Sequence, residues 1–516
     1  MYRYLIAAFL LCPAFFLFSP NASGQSIQDV EQDDLSVLSG WAKWEDSKLS
    51  LRHYLNQEAF DRLEQRKRTI MRLQSKREWQ TRIAHARSAY RRILGEMPER
   101  TPLNARITGR GETEFCRYEK IIFESRPEMY VTCCMLIPKD IDGPRPTVLY
   151  VCGHTSEGYR SATYQNVIFN LAQKGFVVLA MDPVGQGERL MYLDDSKEKS
   201  RYGSTGEHSY VGKQTFLNGV SVASYFVWDM VRALDYLETR EEVDPDRIAV
   251  QGRSGGGTQS SYIMAYDSRI AIGAPECYIT SFRRLLESIG PQDAEQCFFR
   301  GIELGFDHPD FLELRAPKPT LVIATTNDFF SIAGVHETLA EAKAAFRLFG
   351  AEENLKMVSD DAPHQSTKKN RESLYEFLRL HFDFPGSTED IEFQPLPLEE
   401  LNSTETGQIL TSLGGKTVFD YNREDAIELC ERLTGKREQQ RTYCKLVRDQ
   451  AKRLSGYMRP SESDSMLIGR MLFDGYVVEK SVLCSEEGMA IPALLAVPDK
   501  ANQEQTKCPL TLLFPS

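Results

Sequence analysis

One serine stands where the sequence is best suited to do chemistry. The pattern G-x-S-x-G spans residues 252–256 and places Ser254 between glycines. In this pattern a tight turn between a strand and a helix exposes a nucleophilic hydroxyl. Ile248–Gln251 before the turn is typical of a buried strand, and Tyr262–Ala265 after it is typical of an apolar helix. We therefore expect Ser254 to attack a carbonyl carbon; the alternative is a glycine-rich turn whose serine caps the next helix.

A serine nucleophile needs a base and an acid that orients the base. Asp328 and His364 each lie in the loop that follows a predicted strand, in the chain order serine, acid, histidine. We predict that His364 accepts the proton of Ser254 and that Asp328 holds the imidazole in the required tautomer. Glu276 also follows a predicted strand and is the second candidate for the acid. The simpler alternative for Asp328 is a turn carboxylate, and for His364 a surface-loop histidine.

The reaction also needs donors for the oxyanion. One is expected to be the backbone N–H of Gly255, directly after the nucleophile. The other is expected from the backbone of His154 or Thr155, in the loop after the buried apolar run Thr147–Val151. The side chain of His154 is more simply a structural histidine.

The elements around these residues alternate between strand and helix on both sides of Ser254. This order predicts an α/β protein with a mostly parallel central sheet flanked by helices and joined by right-handed crossovers. The charged stretch from residue 35 to about residue 94 predicts helices before the sheet. The carboxyl ends of parallel strands share one edge of a sheet, so the candidate residues are expected to meet there.

Composition excludes several classes of partner. The chain has 516 residues and a formal net charge of -11, which argues against nucleic acid and anionic membrane surfaces. The eleven cysteines include no C-x-x-C pair and no spacing typical of zinc, so no metal site is expected. Cys277 and Cys297 are the candidate pair for a disulfide.

The first residues are typical of a secretory signal peptide. Arg3 precedes an apolar run over residues 4–18, and small residues follow at 22–24. We expect a secreted or periplasmic protein that has no membrane contact after cleavage; an uncleaved anchor is the alternative.

The C-terminal part repeats the beginning of the predicted sheet. Residues 118–120 and 135–140 are echoed by residues 478–480 and 495–500, with chance similarity of two hairpins as the alternative. The sequence therefore predicts the following organisation: a signal peptide over 1–24, an N-terminal helical segment over 25–115, a catalytic domain over 116–385, a linker over 386–401 and a partial second hydrolase-like domain over 402–516.

Three motifs, at residues 252–259, 182–189 and 290–296, resemble those of exported bacterial esterases of the acetyl xylan esterase-like group of carbohydrate esterases. The resemblance covers roughly residues 87–384. It implies an α/β-hydrolase fold, no cofactor, and hydrolysis of ester groups on plant or algal polysaccharides. Ser254, Asp328 and His364 match the triad positions of this group.

The expected function is that of a secreted serine carboxylic-ester hydrolase that deacetylates a polysaccharide or oligosaccharide through an acyl-serine intermediate. Arg253 departs from the group. An arginine beside the nucleophile could pair with a uronate carboxylate or support the oxyanion, which leaves open an esterase for methyl or aryl esters of uronic acids. The simpler interpretation is that Arg253 pairs with a nearby acidic residue.

Two rival classes of protein share parts of this pattern. A prolyl-oligopeptidase-like serine peptidase has the same fold and triad order, but the sequence contains no propeller repeats before the predicted catalytic domain. A non-catalytic carbohydrate-binding relative would have no need of all three triad residues. We therefore expect an esterase.

Overall fold

The chain divides into two compact units. The computed structural model describes residues 35–39, 42–43, 47–457, 464–486, 489–499, 509–511 and 513, so the predicted signal peptide lies outside the described residues. The larger unit is Leu55–Gly456, and the smaller combines Met1–Tyr54 with Tyr457–Ser516.

One nine-stranded sheet organises the larger unit, in the order β1-β2-β3-β5-β4-β6-β7-β8-β9. Its strands are β1 Arg106–Glu112, β2 Cys116–Arg126, β3 Met129–Pro138, β4 Arg145–Val151, β5 Val177–Met181, β6 Val243–Arg253, β7 Ile270–Glu276, β8 Thr320–Asn327 and β9 Leu355–Pro363. Strands β1 to β3 pair antiparallel, as do β3 and β5, whereas β4 to β9 pair in parallel. The predicted mostly parallel sheet is confirmed.

Helices cover both faces of this sheet. They are α1 Ser50–Ile70, α2 Lys76–Leu94, α3 Ala162–Gln173, α4 Gly203–Leu217, α5 Ala223–Leu237, α6 Gly255–Tyr266, α7 Phe282–Glu287, α8 His308–Glu313, α9 Ile332–Leu348, α10 Lys368–Phe382, α11 Ile409–Ser412, α12 Val418–Arg437 and α13 Gln440–Ser455. Among the described residues, no helix combines the length and the apolarity that a membrane crossing requires.

Two apolar cores lie on opposite faces of the sheet. One holds buried side chains of α2, α5, α6 and α9, and the other holds those of α3 and α10. The adjacent residues Cys133 and Cys134 belong to different cores because successive side chains of a strand point to opposite faces. This double burial explains why the parallel strands read as continuous apolar runs in the sequence.

The boundaries differ from those expected. Strand β1 lies inside the predicted helical segment 25–115. Residues 386–401 do not form a free linker, because they pack along the larger unit: the ring of Phe393 stacks on that of Phe169, with centroids 4.2 Å apart. Residues 402–456 also belong to the larger unit, where the backbone N–H groups of Ser403 and Thr404 donate to Glu188.

The smaller unit contains the repeated strands. They form a three-stranded antiparallel sheet of β10 Asp464–Phe473, β11 Tyr476–Glu486 and β12 Met489–Pro498. Its register repeats that of the first strands: Arg110 faces Glu119 across β1 and β2, and Arg470 faces Glu479 across β10 and β11. A one-residue irregularity precedes both pairs at the corresponding position. The echo in the sequence therefore corresponds to the same strand pairing.

Candidate active site

The turn between β6 and α6 has the strained backbone that a nucleophile elbow requires. Ser254 adopts φ 61° and ψ -121°, which a side chain rarely tolerates outside functional turns. A Cβ added to Gly252 or to Gly256 would lie 2.1 Å from the carbonyl oxygen of Val151. The close approach of β4 thus demands glycine at both positions and leaves Ser254 at the apex.

Asp328 and His364 meet at the ends of β8 and β9. Nδ1 of His364 lies 2.9 Å from both carboxylate oxygens of Asp328. The same carboxylate accepts hydrogen bonds from Oγ1 of Thr325 at 3.1 Å and from the backbone N–H of Phe330 at 3.0 Å. With Nδ1–H donating to Asp328, Nε2 of His364 is left as the proton acceptor.

Ser254 and His364 line one cavity of about 280 Å³. Its other lining residues are His154, Tyr164, Thr205, Arg253, Gln292, Asp293, Gln296, Phe329 and Phe330. Among the described residues, no hydrogen bond joins the Ser254 hydroxyl directly to the His364 imidazole. Such bonds often tighten only in the complex with substrate. The structure therefore places Ser254 and His364 at one cavity, and Asp328 contacts the imidazole of His364.

Glu276, the second candidate for the acid, is placed differently. Its carbonyl oxygen accepts the backbone N–H of Ser254 at 2.9 Å, so the residue is adjacent to the nucleophile. Its carboxyl group, however, accepts from Nε2 of Gln251 at 3.2 Å and makes no hydrogen bond to His364 in the described part of the chain. Complete burial raises the pKa of Glu276 to about 7. The geometry favours Asp328 as the orienting acid.

The expected oxyanion donors lie beside the nucleophile. Gly255 is the first residue of α6, and the first N–H groups of a helix have no partner within it. A Cβ on Gly255 would lie 2.9 Å from Nδ1 of His154, which shows how closely the loop after β4 packs here. Thr155 does not line the cavity, and its Oγ1 instead accepts the N–H of Glu157. The loop thus favours His154 over Thr155 as the second donor.

Arg253 lines the cavity with its guanidinium group. Nη1 lies 3.4 Å from the backbone carbonyl oxygen of His364, and the guanidinium carbon lies 5.6 Å from the ring centroid of Tyr164. Within the described residues, no carboxylate lies within 4.0 Å of the guanidinium, and Nε is buried without a hydrogen-bond partner. The expected ion pair with an acidic residue is therefore not formed at contact distance, although the guanidinium interacts electrostatically with the nearby buried carboxyl group of Glu276.

A second group of titratable side chains converges on the same cavity. Nε2 of His154 lies 2.9 Å from Oδ2 of Asp293, 3.3 Å from Oε2 of Glu295 and 3.1 Å from Nδ1 of His208. Burial lowers the pKa of His154, but Asp293 and Glu295 more than offset this and raise it to about 10. Burial also opposes ionisation of Asp293, yet His154 and His208 hold the pKa of its carboxyl group well below the usual range.

Sequence reasoning missed this group. His208 lies in helix α4, within a polar stretch that carries no motif. Asp293 and Glu295 stand out in the sequence only as parts of the motif at residues 290–296. The available signal was that His154 follows β4 and that both carboxylates follow the helix α7 after β7, because β4 and β7 lie on either side of the nucleophile strand β6 in the sheet.

The expected disulfide is absent. Cys277 and Cys297 are both free thiols. Cys297 donates to the carbonyl oxygen of Gln292 at 3.1 Å, and Cys277 lies 3.7 Å from Oγ1 of Thr325. The pairing inferred from loop position alone was wrong because the two thiols have separate local partners.

Comparisons with known proteins agree with this fold. Residues 105–302 match the family model described as acetyl xylan esterase (AXE1), a range that includes Ser254 and ends before Asp328. The YtaP protein of Bacillus subtilis (strain 168), which is named a hydrolase, is 25% identical over 308 residues, which is 57% of this chain and 98% of that protein.

Solved structures are also similar to this chain. Methylesterase BT1017 shares the fold: it is 19% identical with a TM-score of 0.56, and the match covers 73% of this chain and 81% of that one. A glucuronoyl esterase from Solibacter usitatus is 16% identical with a TM-score of 0.46, covering 60% of this chain and 94% of that one.

The predicted α/β-hydrolase fold is confirmed, as is the resemblance to the acetyl xylan esterase-like group. The chain is a carboxylic-ester hydrolase, and the matched family supports carbohydrate esters as its substrates.

Proposed function

We propose that the chain deacetylates a polysaccharide or oligosaccharide through an acyl-serine intermediate formed on Ser254. The observation that carries this proposal is the contact of Asp328 with Nδ1 of His364, on an imidazole that lines the same cavity as Ser254. This contact fixes the tautomer in which Nε2 can accept the serine proton. The strained turn at Ser254 supports the proposal independently.

The reaction proceeds in two steps. Oγ of Ser254 attacks the acetyl carbonyl carbon while Nε2 of His364 accepts the hydroxyl proton, and Asp328 stabilises the imidazolium. The N–H of Gly255 and that of the loop at His154 hold the oxyanion. The imidazolium then protonates the departing sugar oxygen as the C–O bond breaks. In the second step His364 takes a proton from water, the hydroxide attacks the acyl-serine, and acetate leaves as Ser254 recovers its proton.

The test uses purified full-length protein and an acetylated xylo-oligosaccharide. Ser254→Ala is expected to lower kcat by several orders of magnitude, and a serine-directed phosphonate is expected to label Ser254 in the wild type only. The matched control is Ser260→Ala on the same helix, where the hydroxyl donates to the carbonyl oxygen of Gly256 outside the cavity. A Ser254→Ala variant with wild-type turnover would exclude the acyl-serine mechanism, and a wild type active only on peptide amides would exclude the esterase assignment.

A second candidate function is supported by Arg253. Its guanidinium lines the cavity next to the nucleophile and has no carboxylate partner among the described residues. A planar guanidinium can hold a carboxylate with two parallel hydrogen bonds. In a methyl or aryl ester of a uronic acid the carboxyl group is the ester that is cleaved. The carboxylate would therefore come from a neighbouring free uronate of the same saccharide or from the uronate product. Comparing kcat/KM for neutral acetylated and uronate-containing esters discriminates between the two candidates.

We also propose that the protein is exported, on the basis of the N-terminal pattern alone. The charged start, the apolar run over residues 4–18 and the small residues at 22–24 support cleavage near residue 24. N-terminal sequencing of the protein recovered outside the cytoplasm tests this, and a mature chain that retains residues 1–24 would contradict it.

A further inference from the structure

Four potential ligand atoms converge beside the nucleophile, two on the buried residues His208 and Glu295 and two on the partly buried residues His154 and Asp293. Nε2 of His154, Nδ1 of His208 and one carboxylate oxygen each from Asp293 and Glu295 all lie within 4.8 Å of one another. They come from three separate segments of the larger unit: the loop after β4, helix α4 and the loop after α7. These segments are far apart in the sequence, so the four atoms meet only in the folded chain.

The orientation of His208 aims an unprotonated nitrogen at this group. Nε2 of His208 lies 2.8 Å from the carbonyl oxygen of Val184, which can only accept a hydrogen bond. Nε2 must therefore carry a proton, and in the neutral ring Nδ1 presents its lone pair to the other three atoms. A backbone carbonyl that holds the far nitrogen of an imidazole is the usual support of a histidine that binds a metal.

This group contains fewer hydrogen-bond donors than hydrogen-bond acceptors. Oδ1 of Asp293 accepts the N–H of Glu295 at 2.9 Å. Among the described residues, neither oxygen of Glu295 accepts a well-formed hydrogen bond, although its side chain is completely buried and Oε2 lies 3.3 Å from Nε2 of His154. A single N–H on His154 cannot serve two carboxylates and the Nδ1 of His208 together. Buried carboxylates without donors are costly unless a cation compensates them.

The spacing of the atoms matches a small four-coordinate ion. Metal–ligand bonds of about 2.1 Å to imidazole nitrogen and carboxylate oxygen give a tetrahedron with edges of roughly 3.4 Å. Nε2 of His154 lies 2.9 Å from Oδ2 of Asp293, 3.1 Å from Nδ1 of His208 and 3.3 Å from Oε2 of Glu295, and Nδ1 of His208 lies 3.6 Å from the same Oε2. These four distances scatter around the expected edge. The 3.8 Å contact of His208 with Asp293 is to the other carboxylate oxygen, Oδ1. Two carboxylates and two neutral imidazoles would also balance the charge of one divalent cation.

We propose that His154, His208, Asp293 and Glu295 bind one divalent transition-metal ion, for which Zn²⁺ is the best match. Nitrogen and oxygen ligands in a four-coordinate arrangement suit Zn²⁺ better than Mg²⁺ or Ca²⁺, which prefer six or more oxygens. This site departs from the expectation, drawn from cysteine spacing, that the chain binds no metal. The bound ion would hold the loop of His154 against Gly255, so its role is to position the oxyanion donors.

The test measures metal binding directly and does not depend on the assigned reaction. Full-length protein without a polyhistidine tag is stripped with a chelator, exposed to Zn²⁺, dialysed and analysed for metal content. The wild type is expected to retain about one equivalent, as a site with four protein ligands should. Glu295→Gln and His208→Gln are each expected to weaken Zn²⁺ binding by about a hundredfold or more, because loss of even an outer partner costs 10- to 100-fold.

His336→Gln, an exposed histidine on α9, is the matched control and is expected to retain the metal. If the ligand variants fail to fold, Co²⁺ titration of the wild type decides, because a four-coordinate site gives intense visible bands that Zn²⁺ abolishes. A wild type that takes up no Zn²⁺ or Co²⁺ would show a metal-free hydrogen-bond network and overturn the proposal. So would ligand variants that bind Zn²⁺ as tightly as the wild type.

Discussion

Two groups of imidazole and carboxylate side chains each contribute to the lining of the Ser254 cavity, through His364 in one and through His154 and Asp293 in the other, and they differ in how their charges are balanced. At the ends of β8 and β9, the carboxylate of Asp328 receives hydrogen bonds from His364, Thr325 and Phe330. In the second group, Asp293 and Glu295 lie beside His154 and His208, and the two imidazoles offer too few N–H donors for the carboxylate oxygens. The first group is complete as a proton-transfer pair, whereas the second is complete only with a cation.

This difference shows how the loops at one edge of a sheet can form two kinds of site. A carboxylate surrounded by donors orients an imidazole and stabilises its charged form, which proton transfer requires. Carboxylates and imidazole lone pairs that converge without donors form a cation site. Glu276 represents a third solution, since burial keeps its carboxyl group partly protonated near neutral pH, where its pKa lies.

The largest effect is expected at the proton-transfer pair. Asp328→Asn is expected to lower kcat by about 1,000- to 10,000-fold, because the amide can hold the wrong tautomer of His364. Glu276→Gln is the control and is expected to retain kcat within about threefold, since its carboxyl group does not contact the imidazole. Steady-state kinetics on an acetyl ester measure both. If Glu276→Gln were the crippling change and Asp328→Asn harmless, the acid would be Glu276.

The next effect concerns stability and its dependence on pH. The pKa of Glu276 is about 7 in the folded chain, against an ordinary value of 4.5. Between these values the folded state holds the proton more tightly than the unfolded state, so the free energy of unfolding falls as pH rises. Well above pH 7 the carboxyl group is ionised in both states, so its titration no longer changes the free energy of unfolding. Glu276→Gln removes the titration, and its stability relative to wild type is expected to rise by about 3 kcal/mol from pH 4.5 to pH 8.

Urea unfolding at both pH values measures this difference. Asp182 and Asp307, whose pKa values burial raises to about 6, remain in both proteins and cancel in the comparison. An identical pH dependence in wild type and variant would show that Glu276 is ionised in the folded chain.

The sequence could predict the sheet and the proton-transfer pair because each follows from local patterns. The glycines around Ser254 indicate that another backbone segment approaches the turn closely, and Asp328 and His364 directly follow apolar strands. The metal-binding arrangement could not be predicted in this way. His208 comes from a helix between two strands, and its orientation depends on the carbonyl oxygen of Val184. The expected linker also failed, since its residues are polar in composition but pack through a few apolar side chains such as Phe393.

A smaller effect is expected at Arg253, the cation without a carboxylate partner among the described residues. If the substrate carries a uronate, Arg253→Lys is expected to lower kcat/KM by roughly 10- to 100-fold, because an ammonium cannot reproduce the two parallel hydrogen bonds. A neutral acetylated sugar is expected to change by less than about threefold. Arg247→Lys, on the same strand but paired with Asp244, is the control. Equal small losses for both substrates would exclude the uronate ester as the preferred substrate.

The smallest effect is expected at a single donor to Asp328. Thr325→Val keeps the shape of the side chain but removes the hydrogen bond of 3.1 Å from Oγ1. One neutral donor contributes about 0.5–1.5 kcal/mol, so kcat is expected to fall roughly two- to tenfold. Steady-state kinetics on an acetyl ester measure the loss, and urea unfolding measures any accompanying change in the free energy of unfolding.

Thr326→Val is the matched control, because this neighbouring threonine donates to the exposed carboxylate of Asp361 instead. It is expected to leave kcat unchanged. A general loss of packing in β8 would lower kcat and the free energy of unfolding in both variants, so comparing the two variants separates the two causes. If Thr325→Val left kcat unchanged, hydrogen bonding around Asp328 would not control how it supports His364, and the contrast with the donor-poor group at His154 would lose its basis.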